Sequence, residues 1–199
     1  MVAPTDPDSP LARAAEALAE ATAPPWVVAH SRRTYRFGLE LLLRAGRTPD
    51  PEVLYVAAML HDLALGTSLD DGRTPFELLS AAAARDLVLA RGGSPASAVL
   101  VHDAVALHLD PATADDPRPE VAGIQFGSAL DVIGLRAGDL PATLLDEVLA
   151  AHPRDGFRDA MLATFGAEAA SKPGSGAAVL VERYGFLDLM AVAARPAAP

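Results

Sequence analysis

The pair His61-Asp62 follows the apolar run Tyr55-Val-Ala-Ala-Met-Leu60 and is followed by Leu63-Ala-Leu65. Two side chains able to ligate a metal therefore fall in a stretch that should be buried. An ionised carboxylate beside an imidazole is costly in an apolar interior unless hydrogen bonds or a cation compensate the charge. His30 lies upstream and Asp131 downstream, so a site built from all four would tie distant parts of the chain to one point. Two imidazole nitrogens and two carboxylate oxygens suit one divalent transition ion, with zinc, iron, manganese and nickel all compatible. Such an ion lowers the pKa of its bound water toward neutrality and creates hydroxide at physiological pH. The same residues also have a structural reading: His30 as a hydrogen-bonding group in a helical bundle, Asp131 as a helix-end charge paired with arginine.

The neighbours of these four divide by spacing. Arg33 stands one turn after His30, on nearly the same helix face. It could hold a substrate anion or orient a metal carboxylate through a bidentate pair, with a plain ion pair to Asp62 or Asp131 as the alternative. Arg32 and Arg36 read as solvated. His102 and His108 are six positions apart, a turn of about 600° on a helix, so they do not share a face and do not both ligate one ion. Residues 63–101 contain no histidine, which counts against a second metal. His152, beside Pro153, reads as exposed, and Trp26 as a core anchor.

The elements that carry these residues read as helices. Ser9 or Pro10 opens an alanine-rich amphipathic stretch to about Ala21, broken by Thr22-Ala-Pro-Pro25. A second helix should run from Trp26 to Ala45 and stop at Gly46. Asp50-Pro51-Glu52 gives an N-cap, a proline at the first helical position and an acid in the first turn. That helix is expected to end near Gly66, with His61 and Asp62 in its last turns. Segment 66–73 reads as a loop. Thr74-Pro75-Phe76-Glu77 reads as a capping box that opens a helix to Arg91 and uses Glu77 as a cap. Ser94-Pro95 starts a helix to about His108, and Asp110 to Pro119 is an acidic loop. Helices are then expected at Pro119–Gly134, Pro141–Ala151, Gly156–Ala170 and Ala177–Met190. Ala177–Val181 is apolar enough for a strand, but its context is helical. The expectation is an all-α domain of seven to nine helices at residues 9–194, with flexible tails at 1–8 and 195–199.

Composition narrows the partners. With 51% apolar residues in 199, the chain can bury a full core. A net charge of −10 argues against a nucleic-acid polymer as partner, which needs concentrated positive surface. No apolar run approaches a membrane span, and the acidic, proline-containing start does not resemble a signal peptide. A cytoplasmic protein acting on a small molecule is the expectation, with a homo-oligomer left open. Absence of cysteine excludes thiolate ligands and nucleophiles. Of 16 basic residues only Lys172 is lysine, consistent with a coding bias toward arginine, or with a position where arginine cannot substitute.

The order His30 … His61-Asp62 … Asp131 resembles the HD superfamily of metal-dependent hydrolases. The run His30-Ser-Arg-Arg-Thr-Tyr-Arg-Phe-Gly38, then Asp50-Pro-Glu52, Leu60-His-Asp-Leu63, Phe76-Glu77, Ile124-Gln125 and Leu130-Asp-Val-Ile-Gly134 is similar to its cyanamide hydratase-like branch. Pro153-Arg-Asp-Gly-Phe157 and Lys172-Pro173 are similar to that branch's C-terminal part. The resemblance implies a compact helical bundle, a metal at His30, His61, Asp62 and Asp131, and hydration or hydrolysis of a small molecule. It also implies a pocket histidine at His108, for proton transfer or substrate orientation, and a pocket place for Glu77. Catalysis would then fall to Asp62, His108 and Arg33, and substrate contacts to Arg33, Glu77, His102 and His108; surface placement is the alternative for His102. Cyanamide- or nitrile-like hydration is the preferred chemistry. A phosphohydrolase acting on a nucleotide or phosphomonoester through Arg33 or Arg73, a di-iron oxygenase and a non-catalytic binding domain remain as alternatives.

Overall fold

The computed structural model describes residues 6–193 and, within them, ten α-helices, two short 3-10 turns and no strand. The helices are α1 (Pro10–Thr22), α2 (Pro25–Arg44), α3 (Pro51–Leu60), α4 (Phe76–Ala90), α5 (Pro95–Ala106), α6 (Pro119–Ile133), α7 (Ala142–Ala151), α8 (Phe157–Ser171), α9 (Gly176–Tyr184) and α10 (Phe186–Val192). The all-α expectation holds, with one helix more than its upper count. The expected single helix over 177–190 is cut by Gly185, whose φ of 60° turns the chain between α9 and α10. No described helix is long and apolar enough to cross a membrane. The expected tail at 195–199 lies outside the described residues, as do residues 1–5 of the other tail. Asp6 and Asp8 of that N-terminal tail pair with Arg36 and Arg13.

Most starts follow local chemistry. Ser9, Asp50 and Ser94 each accept a hydrogen bond from a first-turn N–H, ahead of a proline that needs no partner there. The expected capping box at α4 does not form. Thr74 Oγ1 instead donates to Asp71, and the Phe76 N–H is taken by Glu168 Oε1 of α8. A tertiary partner has replaced a local one.

Two apolar clusters make the interior. The larger lies among α1 to α7; the smaller joins Ala64, Leu65 and Phe76 to Phe157, Met161 and Phe165 of α8 and to Leu180 and Met190. Trp26 packs against both, which fits its expected role as an anchor.

The contact that sets the site is α2 against α6. A Cβ on Gly38 would lie 2.3 Å from the Gly123 carbonyl oxygen, and one on Gly127 2.0 Å from the Thr34 oxygen. Glycine thus lets the two backbones touch, antiparallel, with Thr34 opposite Gly127 and Gly38 opposite Gly123. One turn further along this register, His30 stands opposite Asp131.

Candidate metal centre

α3 ends at Leu60, so His61 and Asp62 do not lie in its last turns but in the tight turns just beyond it. The bonds Leu63 N–H to Leu60 O and Leu65 N–H to Asp62 O close these turns, and buried Ser80 of α4 accepts from the Ala64 N–H. His61 itself keeps helical angles, φ −63° and ψ −33°, at the cap of α3, and the turns beyond it hold Asp62 within reach of the same point.

The imidazoles are oriented from behind. His61 Nδ1 donates to the Ala58 carbonyl at 2.7 Å and His30 Nδ1 to Asp131 Oδ2 at 2.7 Å. Their Nε2 atoms then face one another 3.2 Å apart. Burial, partly offset by Asp62, drives His61 to about 3, so its ring is neutral. Asp62 Oδ2 lies 3.5 Å from both Nε2 atoms. Burial opposes its charge, but His61, His108 and His30 together hold the carboxyl below the usual range.

Three buried donors therefore form a triangle with edges of 3.2, 3.5 and 3.5 Å. Two nitrogens about 2.05 Å from one tetrahedral ion stand about 3.3 Å apart, so the triangle matches one face of a coordination sphere. Two imidazole nitrogens and a carboxylate oxygen brought this close together in a buried site are what a cation can bridge, and a two-histidine, one-carboxylate face leaves positions open. The donor set fits one divalent ion.

Asp131 does not join this triangle. Its Oδ2 binds the far nitrogen of His30, and Arg33 grips both its oxygens at 2.8 Å. Burial opposes its charge, but Arg33 and His30 hold it well below the carboxylate range. The expected fourth ligand here stands behind the His30 ring, between its far nitrogen and a buried guanidinium.

Arg33 is likewise no substrate group. Its side chain is fully buried, and its remaining donor nitrogen Nη1 binds the carbonyls of His152 and Pro153. His152 is partly buried rather than exposed. Phe157 completes the support: it stacks on His30 at 5.1 Å between centroids and lies under both Arg33 and Arg154. Phe157 and Arg154 received no role from spacing, since only the fold brings them near His30.

His108 lies just past α5, buried, with Nδ1 donating to Val105 O at 2.6 Å and Nε2 3.5 Å from Asp62 Oδ1. Burial works against its charge, yet Asp62 lifts its pKa above the ordinary value. His102 sits away from this group, half-exposed, beside an Asp103 that also binds Arg118. His102 is not among the residues that line the cavity onto which His30, His61, Asp62 and His108 open. Glu77 does not line the cavity either. Its Oε1 accepts the Gly176 N–H at the start of α9, and its buried Oε2 has no partner among the described residues. Arg32 pairs with Glu16 and Glu20, and Arg73 is exposed on the 66–75 loop.

A cavity of about 210 Å³ opens onto His30, His61, Asp62 and His108. Its walls are largely apolar and come from α6, α8, α9 and α10. Sequence reading missed this wall because an apolar pocket residue and an apolar core residue look alike in a periodic pattern.

A family model described as HD domain matches residues 27–148. It spans more than half of the chain, and the chain belongs to the HD domain family, whose members are mostly metal-dependent hydrolases. The matched region holds all three donors, Asp131 and His108. No curated protein matches the chain significantly.

Proposed function

We propose that the protein is a metal-dependent hydrolase or hydratase that adds water to a small uncharged electrophile, with a nitrile- or cyanamide-like group preferred. One observation carries the reading: the His30–His61–Asp62 triangle opens into a cavity with no arginine or lysine among its described lining residues. A phosphate ester leaving water needs cationic or other strong donors in the pocket. The two arginines that could have served are engaged behind Asp131 or exposed on a loop.

One divalent transition ion at His30, His61 and Asp62 would supply Lewis acidity and a water acidic enough to be a nucleophile near neutral pH. Asp131 and Arg33 keep the His30 lone pair aimed at that point. Asp62 presents Oδ2 to the donor face and Oδ1 to His108. His108 has Nδ1 committed to a carbonyl, so Nε2 is the atom that takes a proton from water and returns it to substrate nitrogen. The net change adds one water across the C–N triple bond: carbon gains OH and nitrogen one hydrogen, and the hydroxyl proton then moves to nitrogen, giving an amide, or urea from cyanamide. A small molecule, rather than a nucleic acid or a membrane, is the partner, and the cytoplasm the expected setting.

The test is metal analysis of untagged protein, followed by assay of cyanamide, simple nitriles and a panel of nucleotides and phosphomonoesters. One ion per chain and amide formation are expected. Phosphate release without amide formation would transfer the reading to a phosphohydrolase, and two irons per chain to an oxygenase.

A further inference from the structure

The cavity is a funnel. His30, His61, Asp62 and His108 form a floor no more than 4% exposed, while Leu135, Tyr184 and Leu189 at the rim are 48%, 51% and 41% exposed. Between them stand Met161, Phe165, Leu180 and Phe186, an apolar wall that α8, α9 and α10 contribute. These three helices lie beyond the HD-matched region, which ends at residue 148. Family membership therefore accounts for the floor and not for the wall.

Size and polarity both speak to what fills it. A cavity of about 150 Å³ holds benzene, and this one measures about 210 Å³. Cyanamide alone would leave most of the apolar wall uncovered. Between floor and rim the polar side chains are Gln125 and Ser128, one turn apart on α6. Ser128 Oγ donates to the Gln125 main-chain carbonyl at 3.3 Å. The Gln125 carboxamide has no hydrogen-bond partner among the described residues, though the residue is only 8% exposed and lines the cavity. Its polar atoms are not among the buried side-chain atoms left without a partner, so its two donors and one acceptor are open to the cavity, where a ligand's polar group can take the place of water.

We infer that the pocket selects an uncharged molecule with an apolar body at least the size of a benzene ring and one small hydrogen-bonding head, the head bound by Gln125 and the body by α8–α10. That the head is a nitrile, or the amide made from it, rests on the hydration reading; the apolar body does not. Gln125 and Leu189 are the specificity-determining positions, one for each end of the ligand.

Calorimetric titration of the zinc-loaded protein with benzamide, acetamide, toluene and phenyl phosphate tests this without turnover. Benzamide should bind about tenfold or more tighter than acetamide, from the apolar area it adds, and tighter than phenyl phosphate. Gln125→Leu should cost benzamide about tenfold and leave toluene unchanged. Leu189→Trp, at the exposed rim where folding is not at risk, should remove the advantage of benzamide over acetamide. Equal affinity for the two amides, preference for phenyl phosphate, or retained preference in both variants overturns the inference. Tight benzamide binding without turnover of any nitrile defeats the hydration reading and leaves the pocket inference standing. Cyanamide turnover with no preference for benzamide does the reverse.

Discussion

His30 donates its Nδ1 proton to Asp131 at 2.7 Å, across the same antiparallel register that sets Thr34 against Gly127 and Gly38 against Gly123. The close approach of two helix backbones and the aim of a metal-facing lone pair are thus one geometric fact. Gly127→Ala would place a methyl 2.0 Å from the Thr34 carbonyl oxygen, which is backbone and cannot swing aside. Destabilisation of about 3 kcal/mol is expected, together with weakened zinc binding. Gly138→Ala, with nothing within 4 Å of the added carbon, should stay within about 0.5 kcal/mol of the parent. Denaturant melts and zinc competition titrations of both variants give the comparison.

Asp131 has two dependants, and its substitution should separate from that of a direct donor. Asp131→Asn should weaken zinc affinity by about 10–100-fold by loosening His30. Asp62→Asn should abolish stoichiometric binding. Asp131→Asn should also lower the stability of metal-free protein by about 3–5 kcal/mol, since Arg33 remains buried without its partner. Melting in excess chelator reads this second effect alone. If Asp131→Asn and Asp62→Asn lose metal equally, Asp131 is a ligand after all.

Metal removal should itself be visible in a melt. At a free-ion concentration about 100 times Kd, a bound ion adds about 2.7 kcal/mol. Chelator should therefore lower Tm of the parent and leave Asp62→Asn unmoved. An unchanged parent Tm would mean the triangle holds no ion.

His108→Gln removes the imidazole beside Asp62 without touching the three donors. A fall in kcat of about 10²–10⁴-fold is expected with metal content unchanged. Loss of metal instead would make His108 a ligand.

Lys172 fastens the loop at 66–75 to α8: its ammonium lies 2.6 Å from Asp70 and 2.9 Å from Glu168, whose other oxygen takes the Phe76 N–H. Burial works against its charge, but Asp70 and Glu168 raise its pKa, while hydrogen bonds from Lys172 and Gly72 lower that of Asp70. A raised lysine contributes stability that is complete below its unfolded pKa, about 10.4, and is lost as pH rises through the folded value. A depressed aspartate contributes stability above its unfolded pKa, about 3.9, that is lost as pH falls through the folded value. Lys172→Met should therefore cost most between about pH 5 and 10, up to about 3 kcal/mol because Asp70 is a third exposed. The difference from the parent should shrink at either extreme. A pH-independent difference in Tm would show that packing, not charge, is what Lys172 supplies.

Sequence alone determined the features that depend on neighbours along the chain. Ser9, Asp50 and Ser94 start helices because a side-chain oxygen within reach satisfies a free N–H. The helical period separates His102 from His108, and the buried setting of His61-Asp62 follows from the apolar run around it. Tertiary structure decided whatever depends on a partner far along the chain. Thr74 and Glu77 look like a capping box, yet Glu168 caps Phe76 from 92 positions away and leaves Glu77 to Gly176. Arg33 and Asp131 each carried two readings, and only the touching of α2 and α6 sets Asp131 behind the His30 ring and in the grip of Arg33. The apolar wall of α8–α10 was invisible in the sequence because burial against a core and burial around a cavity impose the same pattern on a chain. Which side of that wall is empty is a property of the folded volume.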